Sequence, residues 1–270
     1  MSHIDRNLVE TFLTAVDSKL VPQIEARRDR LMQNAKLLNK YRSECGAWRS
    51  RRVPHVRGIT EVVNELCFAD LILKDEKVRT AEYEPPIGNT KKTIDFLVVL
   101  ENSGVPCTRI YYDVKTIQPE ERNSWERYER TKVKGLFTSG TELVLDPEWM
   151  GGEIAHDFFV AREKFLEYTL EFEDKIRHIK NRESCRFEMV FCGDGFQWRC
   201  DHLEDFADFY FTGRHRHDDP FGDMEAFDLA EKRIALDRTI NGFCYLQRTK
   251  PRVTVTKFKR NVRGPLLFSP

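Results

Sequence analysis

The chain has 270 residues, 40% apolar and 33% charged, and its 44 Lys and Arg balance 44 Asp and Glu to a formal net charge of zero. That is the composition of a soluble globular chain, long enough for one large domain or a domain with an appended module; with no apolar run near 18 residues it excludes a membrane-spanning helix. Charge is unevenly spread: residues 21–57 hold ten Lys and Arg against three acids, 248–263 hold seven and no acid, and 201–231 hold ten acids against two arginines, so a basic face in a neutral protein stays open.

The first twenty residues, MSHIDRNLVETFLTAVDSKL, are amphipathic and lack the apolar centre and cleavage site of a signal peptide. Residues 5–20 and 22–42 repeat apolar side chains at helical spacing, and Pro22 suits the first turn of the second helix. CGAWRSRRVPHVRG, punctuated by Gly46, Pro54 and Gly58, reads as a connection. From Thr60, a candidate N-cap, EVVNELCFADLIL places Val62, Val63, Leu66, Ala69 and Leu73 on one face of a third helix. TAEYEPPIG reads as a strand stopped by two prolines, and a hairpin follows at about 93–101 and 108–117. Residues 118–152, polar and without clear periodicity, form a long connection of the kind that carries function.

A long helix over about 153–181, a strand at 185–193, helices in HLEDFADFYF and MEAFDLAEKRIALDR, and strands in GFCYLQR and RVTVTKF complete the chain. The predicted order is α-α-α-β-β-β-α-β-α-α-β-β, an α/β or α+β fold. Seven cysteines without framework spacing point to reduced thiols and a cytoplasmic location.

The hairpin TIDFLVVLENSGVPCTRIYYDVKT raises the chemical question. Its strands are apolar, yet each carries an aspartate where Val or Ile would be more stable. Strand alternation points Tyr111, Asp113 and Lys115 to one face and Ile110, Tyr112 and Val114 to the other. On the first strand Asp95 shares a face with Thr93, Leu97 and Val99. Folding about Gly104 sets Asp95 directly opposite Asp113, with Cβ atoms about 4.5–5.5 Å apart. Two like charges so close are destabilising unless neutralised, and a divalent cation held by carboxylate oxygens neutralises them. Lys115 beside that cation could orient or deprotonate a water, or meet a phosphate charge. Together these are the parts needed to hydrolyse a phosphodiester. The plainer alternative is an ion-pair cluster on a solvated sheet face.

The acid on one strand, the D-x-K on the next and the carboxylate-bearing helix before them resemble the PD-(D/E)XK, or restriction-endonuclease-like, nuclease superfamily. The resemblance covers about residues 57–193. It implies an α-β-β-β-α-β core with a mixed central sheet flanked by helices, in a 57–270 nuclease-like domain preceded by a 1–56 helical extension that serves oligomerisation or substrate recognition. It implies Asp95 and Asp113 as metal ligands, Lys115 as the supporting lysine, and a helix glutamate, Glu61 or Glu65, as a further site acid. Glu65 is favoured as the third ligand, because Glu61 falls in the expected first turn and complements the helix dipole. Ile94 stands where the family motif has proline, and Asp113 where glutamate is commoner. The implied cofactor is Mg²⁺, with Mn²⁺ as substitute. The implied partner is nucleic acid, DNA before RNA, without a membrane and with a homodimer through the N-terminal helices. The implied role is a DNA endonuclease in restriction, defence or repair. A binding or scaffold module that keeps the fold without the chemistry is the alternative, as is an RNA-directed nuclease.

Candidate nucleic-acid contacts are Arg49, Arg51, Arg52 and Arg57, with Trp48 among them as a stacking surface, then Lys132 and Lys134, then Lys257, Lys259 and Arg260. Cys185, Cys192, Cys200 and His202 lack a C-x₂₋₄-C pair and read as buried groups rather than a zinc set. HRHDD at 215–219 reads as solvated loop.

Overall fold

The computed structural model describes residues 6–50, 57–88, 90–101, 108–117, 147–193, 199–214, 216, 235–248 and 255–262. It is an α/β fold whose single seven-stranded mixed sheet has its strands in sequential order. Helices lie on both faces.

The chain enters through α1 (Arg6–Ala15), a π-turn (Val16–Leu20) and α2 (Val21–Ala26), an almost continuous helical run with Pro22 near the start of α2 as expected. The single helix expected over 22–42 does not form. Residues 27–33 leave the helix and place a two-residue strand, β1 (Leu31–Met32), parallel to β2, with Gln33 in the left-handed region at φ 63°. Arg30 holds the break. Its guanidinium donates to the carbonyls of Leu73 and Asp75, at 2.9 and 2.8 Å, and to that of Val78, while its own carbonyl accepts from the Ala81 N–H at 2.8 Å.

Helix α3 (Asn34–Ser50) runs through Gly46, where a break was expected. Helix α4 (Arg57–Lys74) starts before Thr60, so Thr60 is interior rather than an N-cap, and Glu61 lies beyond the first turn. Its predicted face is the buried one: Val62, Val63, Leu66, Ala69 and Leu73 are all 1% exposed or less.

Strands β2 (Val78–Tyr83), β3 (Phe96–Leu100) and β4 (Thr108–Thr116) form an antiparallel meander. Helix α5 (Pro147–Ile176) then crosses to β5 (Cys185–Gly193), which pairs parallel to β4; the last part of the connection expected at 118–152 is thus helical. Helix α6 (Cys200–Thr212) leads to β6 (Gly242–Arg248), parallel to β5, and β7 (Val255–Val262) closes the sheet antiparallel to β6. The helix expected at 224–238 lies mostly outside the described residues, and its end at 235–238 is not helical.

Two hydrophobic layers sandwich the sheet. Helices α1–α4 cover one face, packing Leu13, Leu37, Trp48, Val62 and Phe68 on Phe96, Val98, Ile110 and Tyr112. Helices α5 and α6 cover the other, packing Phe165, Phe172, Leu203 and Phe206 on Phe187, Met189, Phe191 and Phe243. Strand β5 supplies both layers, which is why it reads as an unbroken apolar run. Within the expected 1–56 extension, helices α1–α3 share the first layer with α4, and β1 adds a strand to the sheet. Among the described residues no helix is long and apolar enough to cross a membrane.

Candidate active site

The ladder between β3 and β4 pairs Phe96 with Tyr112, Leu97 with Tyr111 and Val98 with Ile110, the register that a fold about Gly104 requires. Asp95 immediately precedes β3, so its place opposite Asp113 follows from the same register. The faces also divide as the alternation predicted. Phe96, Tyr112 and Val114 join the layer under α4, while Tyr111 joins the layer under α5.

The approach to Asp95 is tightly built. Strand β2 is followed by Glu84, held at φ 46°, whose N–H donates to the Asp95 carbonyl at 2.8 Å. Pro85 follows, and Pro86 makes an isolated antiparallel bridge to Thr93 before the chain turns away. The Asp95 carboxylate accepts the Val114 N–H at 2.6 Å, which fixes it across the strand from Asp113.

Asp113 is fully buried and carries two ammonium partners. Lys175, in the last turn of α5, donates to Oδ1 at 2.7 Å. Lys115 lies 3.1 Å from Oδ2 in ion-pair range, and among the described residues no hydrogen bond of good geometry reaches Oδ2. Lys115 in turn sits 3.6 Å from Glu171 and 5.4 Å from the Tyr168 ring centre, both on α5. Positions 168, 171 and 175 fall on one face of that helix by their spacing.

A second cluster meets the first at the strand ends. Glu65, 6% exposed on α4, accepts from Lys40 Nζ at 2.8 and 2.9 Å and from the Tyr83 hydroxyl at 2.7 Å. Lys40 comes from α3, and one turn before it Lys36 pairs with Glu84 at 2.6 Å. Asn64 donates to the Thr116 hydroxyl at 2.8 Å, pinning α4 to the end of β4 and fixing where Glu65 stands.

The electrostatics follow from this crowding. Burial first, then the negative charges of Asp113 and Glu65, push Asp95 well above the ordinary carboxylate range, against the opposing pull of Lys175 and Lys115. Burial also raises Glu65, against the lowering effect of Lys40 and Tyr83. Burial alone would lower Lys115, but Asp113 and Asp95 outweigh it and raise it. Lys115 is therefore an ammonium at neutral pH. It serves an anionic oxygen better than it accepts a proton.

The structure thus brings Asp95, Asp113, Lys115 and Glu65 together, with Glu61 half-buried one turn earlier on α4. It adds Lys40, Tyr83 and Lys175, which the sequence reading missed. The polar positions 168, 171 and 175 on an otherwise core-facing helix were a weak signal for Lys175; Lys40 left none.

The nucleic-acid candidates fare differently. Arg51, Arg52, Lys132 and Lys134 lie outside the described residues, and Arg57 opens α4 with its side chain outside the description. Trp48 is 3% exposed in the core, so it is not a stacking surface, and Arg49 pairs with Glu10 through two 3.0 Å bonds. Arg260 is a buried partner of Glu188, with contacts of 2.5 and 2.7 Å, and is not open to phosphate as expected, whereas Lys259 pairs with Glu204 but stays about half exposed. Cys192, Cys200 and His202 are buried, Cys185 is half-buried, and burial pushes the His202 imidazole down to about 4. Of HRHDD only Arg216 is described, paired with Glu204 and Asp208.

No family model, curated protein or solved structure matches the chain. Among the described residues, no three His, Cys, Asp or Glu side chains are gathered as a cation-binding group in this arrangement. The donors nevertheless suit a hard cation. Among the described residues Asp113 Oδ2 is a buried carboxylate oxygen that meets the Lys115 ammonium without a hydrogen bond of good geometry, and the acid placed opposite it is Asp95.

Proposed function

We propose that this chain is a metal-dependent nuclease that hydrolyses phosphodiester bonds, with DNA as its foremost substrate, on a restriction-endonuclease-like core. The observation that carries the reading is the buried, incompletely hydrogen-bonded Asp113 carboxylate set beside Asp95 and Lys115 at the ends of adjacent strands. The element order supports it: α4, β2, β3, β4, α5 and β5 run helix, three antiparallel strands, crossover helix and parallel strand.

In this reading Asp95 and Asp113 hold the cation, Mg²⁺ or Mn²⁺, and Glu65 is the third acid. When bound, the ion supplies Lewis acidity and an activated water. The chain's own groups do the rest. The Val114 N–H orients Asp95, while Lys40 and Tyr83 orient Glu65. Lys115, protonated and steadied by Glu171, faces the charge that develops on the phosphate oxygens. Lys36 and Lys92, each about half exposed (50% and 46%), are the described cations best placed beside the site for a phosphate backbone.

The lysine partners of Glu65 and Asp113 also favour a second reading, a nuclease-fold binding module whose acids are structural ion pairs. The test is incubation of supercoiled plasmid, linear duplex, single strands and RNA with Mg²⁺, Mn²⁺ or chelator. Cleavage that chelator abolishes, and that Asp113→Asn and Lys115→Ala each lower by about a hundredfold or more, is the expected result. Nucleic-acid binding without cleavage selects the module; cleavage of RNA alone moves the substrate.

A further inference from the structure

Lys175 has no counterpart in the motif that suggested the chemistry, yet it makes the shorter contact to the central aspartate. An Asp113 carboxylate with no exposed surface is costly unless its charge is met. Here it is met twice, by Lys175 on Oδ1 and Lys115 near Oδ2, and both ammonium groups also act on Asp95. Two ammonium ions facing two aspartates carry the charge of one divalent cation.

The two lysines are not equally bound. Lys115 has Glu171 and the Tyr168 ring as further partners on α5. Lys175 is the basic residue in the last turn of α5, where the terminal carbonyls favour a cation, and its side chain is one-fifth exposed. Exchange for a divalent ion keeps the Asp113 charge met, and the released ammonium takes up solvent or the helix end.

Resting on the proposed metal site, we infer that Lys175 is a positioning residue that occupies the cation's place: its ammonium holds Asp113 Oδ1 in the ion-free protein and is exchanged for the divalent ion on binding. The consequence separates this role from a scaffold. A lysine that only built the site would weaken ion binding when removed. A placeholder strengthens it, because the cation no longer competes with an ammonium for the same oxygen.

The experiment is Mn²⁺ binding to the full chain, measured by calorimetry and by the electron paramagnetic resonance signal of free Mn²⁺, without nucleic acid. Lys175→Met is expected to bind about tenfold more tightly than the unaltered protein, a change equivalent to about 1.4 kcal/mol. Lys175→Arg keeps the charge and adds a bidentate grip on the carboxylate, so it is expected to bind more weakly than the unaltered protein. It also carries the test should Lys175→Met not fold. Binding by the unaltered protein that either variant leaves unchanged, or that Lys175→Met weakens, overturns the inference and leaves the metal site standing. Absence of Mn²⁺ binding in all three proteins overturns the metal site and the inference with it.

Discussion

At the scale of single residues, the site is assembled from groups that oppose folding. Asp95 lies half-buried opposite a second aspartate, with the Val114 N–H and the more distant ammonium groups of Lys175, Lys115 and Lys40 in its favour. Its raised pKa gives the sign of the cost. Between the ordinary carboxylate range and the raised value the folded chain binds the proton more tightly than the unfolded chain, so stability falls as pH climbs through that window. Asp95→Asn keeps an acceptor for Val114 and removes the charge. It is expected to raise Tm at pH 7, by roughly 2–4 °C per kcal/mol relieved in a chain of this size, and to lose that advantage near pH 4. Thermal melts at the two pH values decide it: equal destabilisation at both would mean that the carboxylate is a net structural asset.

The same bookkeeping runs the other way for His202. Burial holds its folded pKa near 4, below the ordinary value of about 6.5. From pH 6.5 down to 4 the unfolded chain takes up a proton that the folded chain refuses, and stability drains away over that range. His202→Gln should flatten this part of the pH–stability curve. An unchanged acid limb in the variant would place the loss elsewhere.

At the scale of elements, two glycines show how differently position acts on the same residue. Gly46 sits exposed in the interior of α3, with nothing within 4 Å of where a Cβ would project. Gly46→Ala is expected to stabilise by about 0.5–1 kcal/mol, read as a shift in denaturant midpoint at constant slope. Gly88 has φ 51°, and a Cβ there would lie 2.8 Å from the His178 carbonyl oxygen just beyond α5. Its turn seats the chain that leads into Asp95. Gly88→Ala should therefore cost about 1–3 kcal/mol and, by shifting Asp95, weaken Mn²⁺ binding as well. Elements also explain the one helix that periodicity misread. Ile24, Leu31 and Leu38 recur seven residues apart and all are buried, which mimics a helical stripe. Leu31 earns its burial in a strand, because Arg30 captures the end of α4 and feeds the chain into pairing with β2.

At the scale of the whole molecule, the described N-terminal residues 6–50 pack into the core. Leu13, Val16, Leu20, Ile24, Leu37 and Trp48 lie buried in the same layer as α4 and strands β2 to β4. A chain begun at residue 57 would bare that layer and lose Lys40 from Glu65. It is expected to lack a cooperative thermal transition and to bind a hydrophobic dye; a sharp, dye-free melt would show instead that 57–270 folds alone. The charge balance has a related origin. Lys259 of the basic run pairs with Glu204 of the acidic run at the surface, and Arg260 turns inward to the buried Glu188, so the basic run is partly neutralised within the fold.

The sequence by itself determined the local chemistry. Period-two alternation and an expected fold about Gly104 were enough to give the observed register, which sets Asp95 opposite Asp113 with Lys115 on the same face, because a hairpin is a short-range structure and its register is set by a few neighbouring residues. It also marked the buried face of α4 and the apolar run of β5. Tertiary structure alone decided which groups answer those charges. Lys40 is 25 residues from Glu65 and Lys175 is 62 from Asp113, separations at which no local pattern constrains a contact. Those pairs exist because the middles of α3 and α4 on one face of the sheet and the end of α5 on the other are packed at the strand ends, and burial there leaves each carboxylate in need of a cation.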